Sequence, residues 1–283
     1  MSLGTVCLAL LANGELEPEA AIEYAMRLVE RDGGRLSATL VVPPLILPAL
    51  SYSGYSAATQ MLMVIERENL ARKEQAELKA AKIRAEAERR GASVSVEILS
   101  AAYDPPSPHL RRRARVSDIC VMAAPPSTEP QQRELVVEML FGAGVPLLLT
   151  PAKWPKAGEI HKALVAWDGS RVAARAVRDS LPLLAEAKTV EIVSIVGEKD
   201  IAEEASASDL EEHLTRHCNV AAANVLPAGV GGVAATLLEH ARRSDADLLV
   251  MGAYGHSRLR EFILGGATRD MLAQIEIPTL MSH

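Results

Sequence analysis

Two rounds of one alternation constrain this chain more than any other feature. Short apolar runs that read as buried strands are followed by segments with helical spacing, five strands in roughly the first 150 residues and five more after residue 160. In the first round the strands are Thr5–Ala12, Arg35–Val42, Val94–Leu99, Ile119–Met122 and Val145–Thr150. Helical spacing covers Pro18–Glu30, a Pro- and Gly-free stretch from about Ala57 to Arg90 that Gly91 ends, Leu110–Val116, and a segment reaching about Leu140. The connection Leu45–Ala58 is apolar and irregular, as a loop folded onto the protein would be. The second round gives strands Lys162–Trp167, Thr189–Val196, Asn219–Leu226, Leu248–Met251 and Ile277–Met281, with helices over Val172–Leu184, Ala205–Cys218 and Val233–Arg243 and one opened by Gly265-Gly266. Strand and helix in strict alternation predict a doubly wound parallel sheet with right-handed crossovers, here made twice.

The rounds match in detail. Val116-Ser117-Asp118-Ile119-Cys120-Val121-Met122 corresponds to Asp245-Ala246-Asp247-Leu248-Leu249-Val250-Met251, and Val145-Pro146-Leu147 to Ile277-Pro278-Thr279. A period this long makes each copy a domain and not a stacking unit. The expected division is residues 1–152, a polar, proline-containing linker at 153–160, and residues 161–283.

Composition narrows the function. A net charge of −6 and the absence of a clustered basic face argue against nucleic acid as a partner. The one basic run, Arg111 to Arg113 with Arg115, suits the solvated last turn of a helix. No run approaches the roughly 18 apolar residues of a membrane span, so no membrane partner is expected. Cys7, Cys120 and Cys218 have neither disulfide-framework nor zinc spacing, which suits a reducing, cytoplasmic setting, and the first two read as core residues. The seven histidines show no metal-like clustering, and no Ser/His/Asp or Cys/His nucleophile set is suggested by position.

The copies differ where a ligand would sit. In an open parallel sheet that place is beyond the carboxyl ends of the strands, where strand order reverses. With the order 2-1-3-4-5 or a close variant, that point flanks strand 1. In the second copy strand 1 ends in Asp168-Gly169-Ser170, and strand 4 runs into Gly252-Ala253-Tyr254-Gly255. Nine residues later Gly265, Gly266, Ala267 and Thr268 open a helix whose free N–H groups could cradle an anion. An acidic acceptor and an N–H-rich loop in one crevice suit a mononucleotide. The first copy has Asn13-Gly14-Glu15 and Ala123-Ala124-Pro125-Pro126 in those places. Taken alone, each glycine serves turns and close packing, and Asp168 is a turn former and N-cap.

Val165-Ala166-Trp167-Asp168-Gly169-Ser170, the run Asp247 to Gly252-x-x-Gly255, nine residues, Gly265, and the closing Ile277-Pro278-Thr279-Leu280 together resemble the universal stress protein family. The likeness covers Lys162 to His283 and, more faintly, Thr5 to Thr150, so the chain resembles a tandem member. The resemblance implies two tandem doubly wound five-stranded parallel sheets of the adenine nucleotide alpha hydrolase-like type, each in the order 3-2-1-4-5. It implies pairing of the halves through Val145–Thr150 and Pro278–Ser282, with a homodimer as a further expectation.

It also implies an adenine nucleotide, ATP with Mg²⁺, as ligand of the second half, since members with Gly-x-x-Gly, nine residues, Gly-Ser/Thr bind ATP. By position, Asp168 would meet the adenosine end, Val193 or Ile195 the base, Gly252 and Gly255 the ribose and phosphates, and Gly265, Gly266 and Ala267 would offer N–H groups. His256, in the intervening loop, is within reach of a phosphate by position. One departure is plain: the family's Ser/Thr is Gly266 here, which removes one hydrogen bond and up to about tenfold in affinity. Thr268 is the hydroxyl nearest in sequence to replace it. The expected function is a cytoplasmic stress-response module that binds nucleotide in its second half. The alternatives are a slow ATPase or adenylyl-transfer enzyme and a ligand-free protein that docks partners through the Leu45–Ala58 loop.

Overall fold

A computed structural model of the chain describes residues 2–12, 18–43, 55–100, 106–126, 129–156, 159–197, 207–253 and 266–283, the side chains of 55–59, 61 and 62 excepted. The first half runs β1 (Thr5–Leu11), α1 (Glu19–Asp32), β2 (Arg35–Val42), α2 (Tyr55–Arg89), β3 (Ser93–Ser100), α3 (Ser107–Ala114), β4 (Ile119–Ala123), α4 (Pro130–Gly142) and β5 (Leu147–Thr150). The second runs β6 (Lys162–Ala166), α5 (Arg171–Leu184), β7 (Thr189–Val196), α6 (Ala207–Leu214), β8 (Val220–Pro227), α7 (Gly232–Arg243), β9 (Leu248–Gly252), α8 (Gly266–Leu272) and β10 (Thr279–Ser282). Residues 44–54, most of the expected apolar loop, lie outside the described part, and Tyr55 onward belongs to α2.

All ten strands form one sheet in the order β3-β2-β1-β4-β5-β10-β9-β6-β7-β8. Within each half the pairings are parallel and the order is 3-2-1-4-5, the variant of the 2-1-3-4-5 order that the family resemblance implies. The reversal of order therefore falls between strands 1 and 4: β1 beside β4, and β6 beside β9, with Val165 opposite Val250. The halves join by one antiparallel pairing, Leu147 with Met281, Leu148 with Leu280 and Leu149 with Thr279.

Because helices cover both faces, the inner strands are apolar at nearly every position. Val6, Leu8 and Leu10 face one helix layer, and Cys7 and Ala9 the other. The first layer carries α1, α2, α5 and α6, and its core runs unbroken across both halves, with Leu148 and Leu280 at the join. The second carries α3, α4, α7 and α8. In α2 the stripe Ala76, Ala80, Ile83 and Ala87 is buried, and its small side chains let the helix lie close on the sheet. Gly91 beyond it has φ +66°, the left-handed conformation that ends a helix at little cost for glycine.

The strand-4 aspartates show why the duplicated motif keeps its acid. Asp118 accepts the Thr5 N–H at 2.8 Å. Asp247, fully buried, accepts those of His161 and Lys162 at 2.8 and 2.9 Å, with Lys156 Nζ 3.0 Å from its other oxygen. Each clamps the start of strand 1 to the start of strand 4. The connection at 153–160, expected as a simple polar linker, is docked through Lys156, through Trp154 packed on both cores, and through buried Ile160. The basic run behaves as a helix end: Arg113 pairs with Glu97, and Arg115 donates to Gly142 O at 3.0 Å.

Candidate functional site

The candidate site lies where β6 and β9 leave the sheet side by side. After β6, the Trp167 N–H still donates to Val193 O at 2.9 Å, which carries the backbone one residue past the strand before it turns. Trp167 is buried and Asp168 exposed. Gly169 takes φ +72°, a conformation other residues adopt only with strain. Ser170 caps α5, its Oγ accepting the Ala173 N–H at 3.2 Å. Asp168 Oδ1 accepts the Ser170 N–H at 3.0 Å, so one carboxylate oxygen fixes the turn. The other has no hydrogen-bond partner among the described residues. The turn-forming role read from the sequence is thus real, and it leaves half of the carboxylate available.

Gly252 ends β9 directly against the first turn of α5. A Cβ there would lie 2.5 Å from Ala173 N and 2.7 Å from Val172 C, so any side chain would drive strand and helix apart. That close approach brings the β9 exit to the Asp168 turn. The next residue, Ala253, is buried and donates its N–H to Ser282 O at 2.8 Å.

Among the other expected residues, Val193 is packed in the core on the α7 side of β7, and Ile195, two residues on and half-buried, shares that face. Gly266 is exposed, with nothing within 4 Å of an added Cβ, and Ala267 is half-buried. Thr268 is only 4% exposed and already engaged within the protein, so the hydroxyl expected to stand in for the missing Ser/Thr is not at the surface beside Gly266. Gly255, His256 and Gly265 lie outside the described residues. The structure thus brings together Asp168 and Gly252.

Three residues not singled out in the sequence make further contacts near the α5 and β9 ends of the second half, two of them across to the first half. Arg175 on α5 donates to Gly144 O of the first half at 3.0 Å. His283, just past β10, donates from Nδ1 to Ala253 O at 3.1 Å, and its ring meets that of Phe141 edge-on at 4.7 Å. The two contacts between the halves, Arg175 with Gly144 and His283 with Phe141, depend on the β5–β10 join, which no local pattern announces.

The first half repeats the frame without the chemistry. Ala12 N donates to Val41 O at 2.7 Å and Ala124 N to Thr150 O at 2.7 Å, mirroring Trp167 with Val193 and Ala253 with Ser282. By that equivalence Ala123 stands where Gly252 does, so the first half accommodates a Cβ that the second excludes.

Two further charge clusters sit away from this crevice. Glu191, 3% exposed, receives Lys162 Nζ at 2.6 Å, His240 Nε2 at 2.6 Å and Asn224 Nδ2 at 2.7 Å. Burial pushes its carboxyl up, but these donors outweigh that and hold it below its ordinary range. Arg31 bridges the halves to Glu186 at 2.8 Å. No group of three or more potential metal ligands occurs among the described residues.

Residues 9–104 and 159–283 both match the sequence pattern of the Universal stress protein family. The chain belongs to that family, as a tandem member. Universal stress protein Slr1230 of Synechocystis sp. is 37% identical over 51 residues, 18% of this chain and 18% of that protein, so the match spans under a fifth of the relative's length. A universal stress protein from Archaeoglobus fulgidus superposes over 98% of this chain and 95% of its own, at TM-score 0.69 and 14% identity. A putative universal stress protein from Pseudomonas aeruginosa does so over 99% and 93%, at TM-score 0.59 and 16% identity. At these identities the likeness speaks for the fold alone. The likeness takes in both α/β halves of this universal stress protein, since each match covers nearly the whole chain. Among the described residues no helix is long and apolar enough to cross a membrane.

Proposed function

We propose that this tandem universal stress protein binds an adenine nucleotide, ATP with its Mg²⁺, in the second half only, and serves as a nucleotide-responsive module of the stress response. The observation that carries the reading is the juxtaposition of the half-free Asp168 carboxylate with Gly252 at the β6/β9 switch point. In this reading the free oxygen of Asp168 accepts from the nucleoside end, and Ile195, with Val193 behind it, packs on the base. Gly252 keeps the β9 exit low enough for the ribose and phosphates to approach. Gly255 and His256 follow in the same loop, and Gly265, Gly266 and Ala267 offer N–H groups to the phosphates. Thr268, being buried, supports the first turn of α8 from within. Mg²⁺ offsets the charge of the phosphates. The halves divide as residues 1–152 and 161–283, joined by 153–160. The three free cysteines accord with a cytoplasmic setting.

The test is affinity for Mg-ATP in the intact chain, measured for two opposed substitutions. Asp168→Asn keeps the turn-forming oxygen but removes the charge, and binding should weaken about tenfold. Gly266→Ser restores the missing hydroxyl in open space and should tighten it by up to about tenfold. Unchanged affinity in both would refute the assigned site.

A further inference from the structure

We propose that the first half carries a second binding site, for a compact amphipathic amine with an apolar body and a protonated amino head. A cavity of about 320 Å³ opens at the carboxyl ends of β1 and β4. This is the switch point of the first half, and the volume lies at the lower end of small-molecule sites, which run from roughly 300 to 1,000 Å³. Its floor is apolar, from Ala9 and Leu11 on β1 and Met122 and Ala123 on β4.

The lining has the opposite character to a phosphate cradle. Pro125 and Pro126 lack N–H groups to offer, and among the described residues no lysine or arginine lines the cavity to offset an anion. Its charged groups among the described residues are Glu129 and Glu276. Arg242 lies 3.4 Å from Glu276, whereas Glu129 has no ion-pair partner among the described residues. Gln132 donates to Ala123 O at 3.3 Å, which leaves its own carbonyl oxygen to accept. Acceptors and an uncompensated carboxylate over an apolar floor complement an ammonium group and repel a carboxylate or phosphate.

The second half completes the cavity. Because β5 and β10 run antiparallel, the chain entering β10 meets the chain leaving β5, and Gln274 and Ile275 stand across from Pro151 and Ala152. The site therefore belongs to the joined chain, and it stands apart from the nucleotide reading of the second half.

The experiment titrates the intact, ¹⁵N-labelled chain with 2-phenylethylamine, 2-phenylethanol and phenylacetate, which share one apolar body and differ in charge. Amide shifts at residues 122–124 and 274–276 report occupancy. The amine should bind about fivefold more tightly than the alcohol, and phenylacetate should not bind. Glu129→Gln should bring the amine to the level of the alcohol. Ala124→Leu should abolish both while leaving the remaining amide spectrum native. Phenylacetate binding as well as the amine, an amine affinity indifferent to Glu129→Gln, or no shift with any of the three would overturn the proposal.

Discussion

Gly252 and Gly266 belong to one glycine pattern, yet their surroundings give them different work. At Gly252 an added Cβ would meet the backbone of α5 at 2.5 Å, where nothing flexible can yield. Gly252→Ala should cost about 1–3 kcal/mol by overpacking, measured by denaturant unfolding, with or without nucleotide. At Gly266 the space is open, so Gly266→Ser should leave the unfolding midpoint nearly unchanged while altering affinity. A pattern of glycines in a sequence does not separate these roles, because close approach and an open cradle both simply lack a side chain. Asp168 was legible as a turn former because its effect is local: Oδ1 bonds two residues on. The burial of Thr268 was not legible, since it depends on how the short helix α8 seats against its neighbours.

At the level of elements, strands were easier to read than helix ends. Thr189–Val196 is β7 as the largely apolar run gives it, since burial on both faces leaves a mostly hydrophobic signature that only Glu191 and Ser194 interrupt after Thr189. The third helix was expected over Leu110–Val116 and instead spans Ser107–Ala114, because Pro106 favours a helix start and Val116 ends 76% exposed beyond it. The expected helix to Cys218 stops at Leu214, the last of its two buried anchors. Ser170 Oγ satisfies one of the free N–H groups at the start of α5, so Ser170→Ala should destabilise the protein by about 1 kcal/mol in chemical denaturation.

The network on β7 sets a pH dependence. Glu191 is held below its unfolded pKa, so it contributes stability above about pH 4.3, and that contribution is lost as pH falls through its folded value. Glu191→Ala should cost about 3–5 kcal/mol at neutral pH, because Lys162 loses its buried counter-charge. The gap between variant and wild type should shrink in acid. A gap that stays constant from pH 7 to pH 3 would mean that the carboxylate charge is not what holds β6, β7 and α7 together.

For the molecule as a whole, the decisive event is the joining of two five-stranded sheets into one through β5 and β10. Neither strand records its partner in its own sequence: both are short apolar runs, and the pairing was foreseeable only from the family resemblance. The join makes the core of α1, α2, α5 and α6 continuous, so scanning calorimetry should show a single cooperative transition rather than one per half. Leu280→Ala, at the middle of the join, should lower that single transition by about 2–5 kcal/mol without splitting it.

The same architecture sets the central asymmetry, two equivalent frames of which one holds Gly252 and Asp168 and the other Ala123 and a proline-rich exit. Its most direct measurement is the stoichiometry of Mg-ATP binding to the intact chain by titration calorimetry. One equivalent per chain, weakened by Asp168→Asn, is expected; two equivalents, none, or one that is indifferent to Asp168→Asn would rule out a single nucleotide site in the second half.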